Sequence, residues 1–166
     1  MCGIIGIQNN SEAATLAYMG LYAQQHRGQE GAGVVSSDGS ELHRHMGQGL
    51  VSDVFSNPEV FNSLVGDSAI GHVRYSTTGN SDPKNVGPLT FNMGDYSLSI
   101  AHNGNLVNID EIRKQLQEDG ALFQTTTDTE LIIHLLAREK GDSLAEKLGK
   151  VLLKIEGAYS LILLTP

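Results

Sequence analysis

The chain has 166 residues, of which 40% are hydrophobic and 5% aromatic, and this composition predicts one globular domain with a buried core. Its formal net charge of −8 and its lack of a basic cluster argue against binding to nucleic acid or to an anionic membrane. A single cysteine excludes an intrachain disulfide and a cysteine-rich metal site, and no apolar run is long enough to cross a bilayer. We therefore expect a cytoplasmic protein.

The first half of the chain is predicted to consist mainly of strands. An apolar run at 3–8 predicts a buried strand, and the apolar spacing after Ser11 predicts a helix with Ser11 as its N-cap. Two strands are expected around the Asp38–Gly39 turn, and a short helix is expected from Ser52. Two more strands are predicted to run into polar, glycine-containing ends, at 68–77 and 96–104.

The second half predicts three helices, each with a polar N-cap and an acidic residue three positions later. The N-caps are Asn108, Thr127 and Ser143, and their acidic partners are Glu111, Glu130 and Glu146. The first helix is expected to stop at Gly120 and the third at Gly157. A last strand is predicted at 158–165. Strands followed by consecutive helices and a final strand indicate an α+β fold with sheets covered by helices.

The one cysteine stands directly after Met1. A lone cysteine is most often a buried, unreactive residue, but a small second residue favours removal of Met1, which would give Cys2 a free α-amino group. Such amines have pKa values of about 7.7–8.0, so a terminal residue can supply both a nucleophile and its base. Gly3 would let a substrate approach closely. Three histidines are interpreted as structural and are also the alternative bases: His26, His72 and His102.

Further polar residues complete a candidate site. The Asn103 amide and the Gly104 N–H could donate to an oxyanion, although Asn-Gly is also typical of a tight turn. Arg74 suits a carboxylate, or else a surface ion pair, and Asp128 begins a helix, where it could merely cap. With Cys2, this set fits an amino acid that bears a side-chain amide, and glutamine is such an amino acid.

Five segments together resemble the glutaminase domain of the amidophosphoribosyltransferases, which are class II glutamine amidotransferases and N-terminal nucleophile hydrolases. The segments occur in the family's order and span nearly the whole chain: CGIIG at 2–6, QHRGQEGAG at 25–33, GHVRYSTTG at 71–79, AHNGNLVN at 101–108 and TTTDTE at 125–130. Glucosamine-6-phosphate synthase and asparagine synthetase share the Cys-Gly start and an Asn-Gly pair. The RGQEGAG segment favours the amidophosphoribosyltransferases, which act in purine synthesis, over these two enzymes.

The resemblance implies a four-layer αββα sandwich that is incomplete at its C-terminal end. It also implies hydrolysis of glutamine to glutamate and ammonia through a thioester. In that scheme Cys2 is the nucleophile, and Asn103 with Gly104 forms the oxyanion hole. The glutamine-binding residues are Arg74, Asp128, Tyr75, Thr77 and Gly28.

The resemblance further implies that 1–166 is one incomplete glutaminase domain, without the phosphoribosyltransferase domain of the family. In the full-length protein, ammonia would pass to phosphoribosyl pyrophosphate bound with Mg²⁺, and the protein would form a homo-oligomer. No cofactor or metal is expected in this region, and an iron–sulfur cluster in the full-length protein is left open. The alternatives are another class II amidotransferase, a hydrolase of another amide, or a glutamine-binding or inert fragment.

Overall fold

The computed structural model describes residues 1–75 and 82–166, which divide into two compact units. The first unit comprises Met1–Asn103 and Ser160–Pro166, and the second comprises Gly104–Tyr159. The strands and helices of the described part are β1 (Gly3–Ile7), α1 (Ala13–Ala23), β2 (Gly31–Ser37), β3 (Leu42–Gln48), α2 (Val51–Val54), β4 (Ser68–Arg74), β5 (Leu89–Asn92), β6 (Ser97–Leu106), α3 (Ile109–Glu118), α4 (Asp128–Arg138), α5 (Leu144–Leu152) and β7 (Gly157–Leu164).

The first sheet has the strand order β1-β4-β2-β3, and all its neighbours are antiparallel. Strand β4 lies between β1 and β2, with Val73 opposite Gly3 and Arg74 opposite Gly31. Every residue of β2 is buried, as expected for a strand covered on both faces. The register brings the start of β1 beside the end of β4.

Helices α1 and α2 cover one face of the first sheet. Small residues of α1 (Ala13, Ala14 and Ala17) pack with Leu21 against strand residues such as Val34 and Val73. Alanine side chains let the helix backbone approach the sheet closely, and burial of this apolar surface stabilises the layer. Gly20 and Gly71 extend the same close approach, because added Cβ atoms would collide with Ile5 and with Leu21.

The opposite face of the first sheet packs against a second sheet, whose strand order is β5-β6-β7. The shared core comprises Val35, Ile70 and Ala101, with the half-buried Ile4 and Ile162 beside it. The first unit thus has three layers, helix, sheet and sheet. In strand β4, alternate residues serve the two faces, so Arg74 lies on the side of Ile70 and the second sheet.

The second unit contains α3, α4 and α5 with the end of β6 and the start of β7. Helix α4 contacts both α3 and α5, and its Leu131, Ile132 and Leu136 are completely buried. Gly104 and Gly157 let the two strand ends approach closely. Both have positive φ values, of 150° and 143°, and an added Cβ on either would overlap the main chain of the other strand.

Most predicted elements are confirmed, and two predicted boundaries are wrong. Helix α1 begins at Ala13 rather than after Ser11, because the side chain of Asn10 accepts the N–H of Glu12 at 2.9 Å. Helix α5 ends at Leu152, and Gly157 instead opens strand β7. Strand β5 was not predicted. None of the helices in 1–75 and 82–166 combines the length and hydropathy needed to span a bilayer.

Candidate functional site

Cys2 lies immediately before β1, beside the end of β4. The antiparallel register of these strands, continued by one residue, places Cys2 opposite Arg74. The Cys2 Sγ is 3.5 Å from the N of Tyr75, whose N–H donates to it, and 3.6 Å from the Tyr75 carbonyl oxygen, which can accept the thiol proton. Arg27 Nε donates to the Cys2 carbonyl at 3.0 Å. Neighbouring groups therefore fix both the main chain and the thiol of this half-buried residue.

Gly3 is required by the protein's own packing. An added Cβ would lie 2.5 Å from Gln24 Oε1 and 2.8 Å from Val73 Cγ2. The sequence predicted that this glycine makes room for a substrate. In the structure it makes room for a side chain of the segment after α1 and for one of β4, and so allows β1 to lie against both.

Arg74 ends β4 with a largely buried side chain, of which 14% is exposed. Its Nη1 donates to the main-chain oxygen of Asn85 at 3.1 Å, and its Nε lies 3.6 Å from Oε2 of Glu30. An ion pair therefore exists, but its guanidinium is largely buried, whereas the alternative expected a pair at the surface. These two contacts involve only part of the guanidinium, which has five N–H donors, so further donors remain for a second carboxylate.

Gly28 supports the end of β4. An added Cβ would lie 2.5 Å from the carbonyl oxygen of Arg74 and 3.0 Å from the carbonyl carbon of Val73. Its φ of −167° is ordinary extended backbone, so the requirement for glycine here is steric. Two residues later, the N–H of Glu30 donates to that same Arg74 oxygen at 3.2 Å. The 25–33 segment therefore fixes the backbone from which the Arg74 side chain projects.

The three candidate histidines occupy different environments. His72 lies on the same face of β4 as Arg74 and is 6% exposed, and burial, followed by the positive charge of Arg74, lowers the pKa of His72 to about 4. It is therefore neutral near pH 7. His102 is also buried, whereas His26 is exposed. The hydrogen-bond partners that the structure gives the Cys2 thiol are main-chain groups of Tyr75.

Asn103 and Gly104 lie inside strand β6, and the expectation of a turn at this pair is wrong. Asn103 shares its face of the strand with Ala101, which packs against the first sheet. Its Oδ1 is buried and has no hydrogen-bond partner among the described residues. Because an amide can be rotated to present its NH₂ instead, Asn103 can offer a donor to a ligand oxygen.

In the second unit, Asp128 is the first residue of α4 and lies beside the end of β6. Its Oδ2 accepts the N–H of Leu106 at 3.3 Å, and Leu106 lies two residues after Gly104. The start of a helix also favours a carboxylate through the helix dipole. The structure therefore brings Asp128 and the strand segment of Gly104 together.

The capping box predicted at the start of α4, between Thr127 and Glu130, does not form. Thr127 is the N-cap, but its side chain makes no capping hydrogen bond. The Glu130 carboxylate does not return to the N–H of Thr127 and instead accepts the N–H groups of Gln124 and Thr125. At α5 half of the predicted box is confirmed, because Ser143 Oγ accepts the N–H of Glu146 at 3.1 Å, whereas the Glu146 carboxylate accepts the N–H of Asp142 rather than that of Ser143.

The remaining predicted residues are Tyr75 and Thr77. Tyr75 is 51% exposed, and it meets the Cys2 thiol through its main chain. Thr77 lies outside the described residues. Within the two described ranges, no group of three or more His, Cys, Asp and Glu side chains is arranged to hold a metal ion.

Sequence reasoning did not single out Arg27, Glu30 or Asn85. The first two lie in the 25–33 segment, whose three glycines were noted, and that density was the available signal. Asn85 contributes its carbonyl oxygen, which any residue type could supply, so nothing in the sequence marked it.

The model of the glutamine amidotransferase domain matches residues 59–163 of the chain. Among curated proteins, the chain is 43% identical to an amidophosphoribosyltransferase of Lacticaseibacillus casei over 99% of its own length and 84% of that protein. It is 45% identical to the amidophosphoribosyltransferase of Bacillus subtilis, again over 99% of the chain but over 34% of the relative.

Solved structures show the same relationship. One, described as the allosteric regulatory enzyme of purine biosynthesis, matches with a TM-score of 0.94 and 43% identity over 99% of this chain. The glutamine phosphoribosylpyrophosphate amidotransferase of B. subtilis, solved with ADP and GMP, matches with a TM-score of 0.91 at 43% identity. The likeness confirms the predicted fold class, the α+β fold of the N-terminal nucleophile hydrolases.

These matches define a glutamine amidotransferase domain on an N-terminal nucleophile hydrolase fold. Within that class, the chain belongs to the amidophosphoribosyltransferase family. It spans about a third of the length of the B. subtilis relative and of each of the two solved proteins, 34%, 35% and 35% respectively.

Proposed function

We propose that the chain hydrolyses the side-chain amide of glutamine to glutamate and ammonia through a thioester on Cys2. One observation carries the proposal. The register of β1 and β4 sets Cys2, the only cysteine, opposite Arg74. A nucleophile beside a cation that can bind a carboxylate suits an amino-acid substrate.

In the first half-reaction, the α-amine of Cys2 accepts the proton of Sγ, and the sulfur forms a bond to the amide carbon of glutamine. The amine exists only after removal of Met1, since the Cys2 nitrogen of the 166-residue chain is a peptide nitrogen. Donors from Asn103 and Gly104 bind the oxyanion of the tetrahedral intermediate. Its collapse breaks the C–N bond, and the α-ammonium gives its proton to the departing nitrogen, which leaves as ammonia.

In the second half-reaction, water attacks the thioester carbon while the α-amine accepts a proton from it. The C–S bond breaks, the sulfur regains its proton, and glutamate leaves. The sum is glutamine and water to glutamate and ammonia, with no redox change. Each half-reaction uses the same base and the same oxyanion donors, which is why one residue with two functional groups is sufficient.

Binding of glutamine is assigned to charges of opposite sign. Arg74 binds the α-carboxylate through donors beyond those that face Glu30 and Asn85. Asp128 binds the α-ammonium. Tyr75 and Thr77 are assigned to the same site, while Gly28 acts by supporting the backbone of Arg74.

For the longer protein, the relatives support a wider proposal. Their greater length fits a following phosphoribosyltransferase domain, to which the ammonia would pass for reaction with phosphoribosyl pyrophosphate and Mg²⁺. We also propose a homo-oligomeric, cytoplasmic enzyme, and the single cysteine fits a reducing compartment. No cofactor is assigned to residues 1–166.

The test is glutamate release by the chain after removal of Met1, together with mass analysis after treatment with the glutamine analogue diazo-oxo-norleucine. We expect turnover and a single adduct, formed at Cys2 as N₂ leaves. Cys2→Ala should lose both, and a chain extended by one residue ahead of Cys2 should lose turnover because the amine becomes an amide.

Equal glutamate release by the parent chain and Cys2→Ala would overturn the proposal. Stoichiometric glutamine binding without any adduct would establish a binding fragment instead. Full activity in the extended chain would show that a histidine, and not the α-amine, is the base. Cys2 would remain the nucleophile.

A further inference from the structure

A buried carboxylate ties the loop before α4 to the first turn of that helix. Glu130, the third residue of α4, is 1% exposed. Its Oε1 accepts the N–H of Gln124 at 2.8 Å, and its Oε2 accepts the N–H and the hydroxyl of Thr125 at 2.6 and 2.7 Å. Three donors on one buried carboxylate offset its desolvation and fix the direction of the loop.

The Thr125 hydroxyl connects the Glu130 carboxylate to Thr127, the N-cap of α4. Because Oγ1 gives its one proton to Glu130, its lone pairs can accept from Thr127, whose N–H lies at 3.2 Å and whose Oγ1 lies at 2.9 Å. Thr127 directly precedes Asp128. A displacement of Thr125 therefore displaces the residue from which the Asp128 side chain projects.

Helix α3 holds the same loop from a second direction. Arg113 Nη2 donates to the carbonyl of Thr127 at 2.9 Å, and Nη1 donates to that of Thr125 at 3.4 Å. The guanidinium also lies 4.1 Å from the ring centre of Phe123. The carbonyl and N–H groups of Thr127 are thus each held, one directly by Arg113 and the other through Thr125 by Glu130.

We propose that Glu130, acting through Thr125, is a positioning residue that holds Asp128 where its carboxylate binds the α-ammonium of glutamine. The inference rests on the proposed function, which assigns that contact to Asp128. The N–H of Leu106, at the end of β6, is an anchor of the Asp128 side chain. Glu130 supplies a further constraint by fixing the start of α4. Since Glu130 touches no reacting atom, its loss weakens binding and leaves the chemical step unchanged.

The experiment measures the rate of adduct formation at Cys2 against the concentration of diazo-oxo-norleucine, in the Met1-free chain. We expect Glu130→Gln to raise the half-saturating concentration about tenfold, the effect of weakening a charge-assisted hydrogen bond, with an unchanged maximal rate. Thr125→Val should do the same, and Thr125→Ser, which keeps the hydroxyl, should resemble the parent. Glu146→Gln is the matched control, since Glu146 is also the third residue of a helix but is exposed.

A second readout is independent of labelling. Hydrogen exchange at the Leu106 amide, which donates to Asp128, should become faster in Glu130→Gln and Thr125→Val, with exchange in α5 unchanged. Faster exchange throughout the chain would indicate a merely structural role and would overturn the proposal. If Glu130→Gln does not fold, the pair Thr125→Val and Thr125→Ser decides.

Asp128→Asn separates this inference from the proposed function. If Asp128→Asn raises the half-saturating concentration but Glu130→Gln and Thr125→Val do not, the positioning role is wrong and the proposed function survives. If Asp128→Asn has no effect either, the assignment of Asp128 has failed, and the inference fails with it. A fall in the maximal rate alone would also contradict positioning.

Discussion

Gly28→Ala tests whether the 25–33 segment supports the end of β4. The added methyl group would lie 2.5 Å from the carbonyl oxygen of Arg74, 2.6 Å from the carbon of that carbonyl and 3.0 Å from the carbonyl carbon of Val73. All three atoms are main chain, so no side-chain rotation relieves the overlap. Either the 25–33 segment or the end of β4 must move. The φ of Gly28 is ordinary for alanine, which leaves the collision as the only cost.

The magnitude follows from the cost of overpacking, about 1–3 kcal/mol in the free energy of unfolding. For a chain of this size, each kcal/mol lowers Tm by about 2–4 °C, so the expected fall is roughly 2–12 °C. The displaced carbonyl belongs to Arg74 and accepts the N–H of Glu30. The half-saturating concentration of glutamine should therefore rise as well, because the guanidinium moves with its backbone.

Calorimetric melting of Gly28→Ala and Gly149→Ala provides the comparison. Gly149 lies in α5 and is exposed, and an added Cβ would meet nothing within 4 Å. The same chemical change should there raise stability by about 0.8–1 kcal/mol, since alanine is the better helix former. A Gly28→Ala chain that melts within a degree of the parent, or above it, would refute the steric argument.

Two further predictions concern His72 and Gly104. The pKa of His72 falls from 6.5 to about 4 on folding, so the unfolded chain binds the extra proton between these values, and stability should fall by about 3 kcal/mol as pH drops from 6.5 to 4. Urea unfolding at pH 7 and pH 5 should show about 2 kcal/mol of this loss in the parent and in the exposed control His26→Gln, and His72→Gln should show less of it. Gly104→Ala should destabilise the chain by more than the roughly 1 kcal/mol expected of Gly120→Ala, since both have positive φ but only Gly104 faces main-chain atoms of Ala158 and Tyr159. Equal melting temperatures for these two variants would show that the strand contact carries no cost.

The periodicity of apolar residues predicted most of the secondary structure because burial determines it. The prediction failed where a side-chain hydrogen bond set the start of a helix and where the local residue types indicated a loop instead of a strand. The side chain of Asn10, not Ser11, binds near the start of α1, and both types are good local acceptors. Strand β5 has four residues, Leu89–Asn92, and follows a Gly-Pro pair that indicates a loop rather than a strand.

The residues of the candidate site could be predicted from the sequence, but only part of the geometry of the site could be predicted. The position of Cys2 opposite Arg74 depends on the strand register, which pairs residues more than sixty positions apart and has no local signal. The interior position of Asn103–Gly104 was missed for a similar reason. An Asn-Gly pair suits a turn locally, and only the approach of β7 explains the glycine within the strand.

The charged and nucleophilic residues of the proposed site share one physical feature, since each is held by a main-chain group of another element. The thiol of Cys2 contacts the N–H and C=O of Tyr75, Arg74 donates to the carbonyl of Asn85, and Asp128 accepts the N–H of Leu106. Main-chain groups exist at every position, so no sequence pattern marks them as partners. Sequence can therefore name the residues that do the chemistry, whereas the fold alone supplies the atoms that hold them in place.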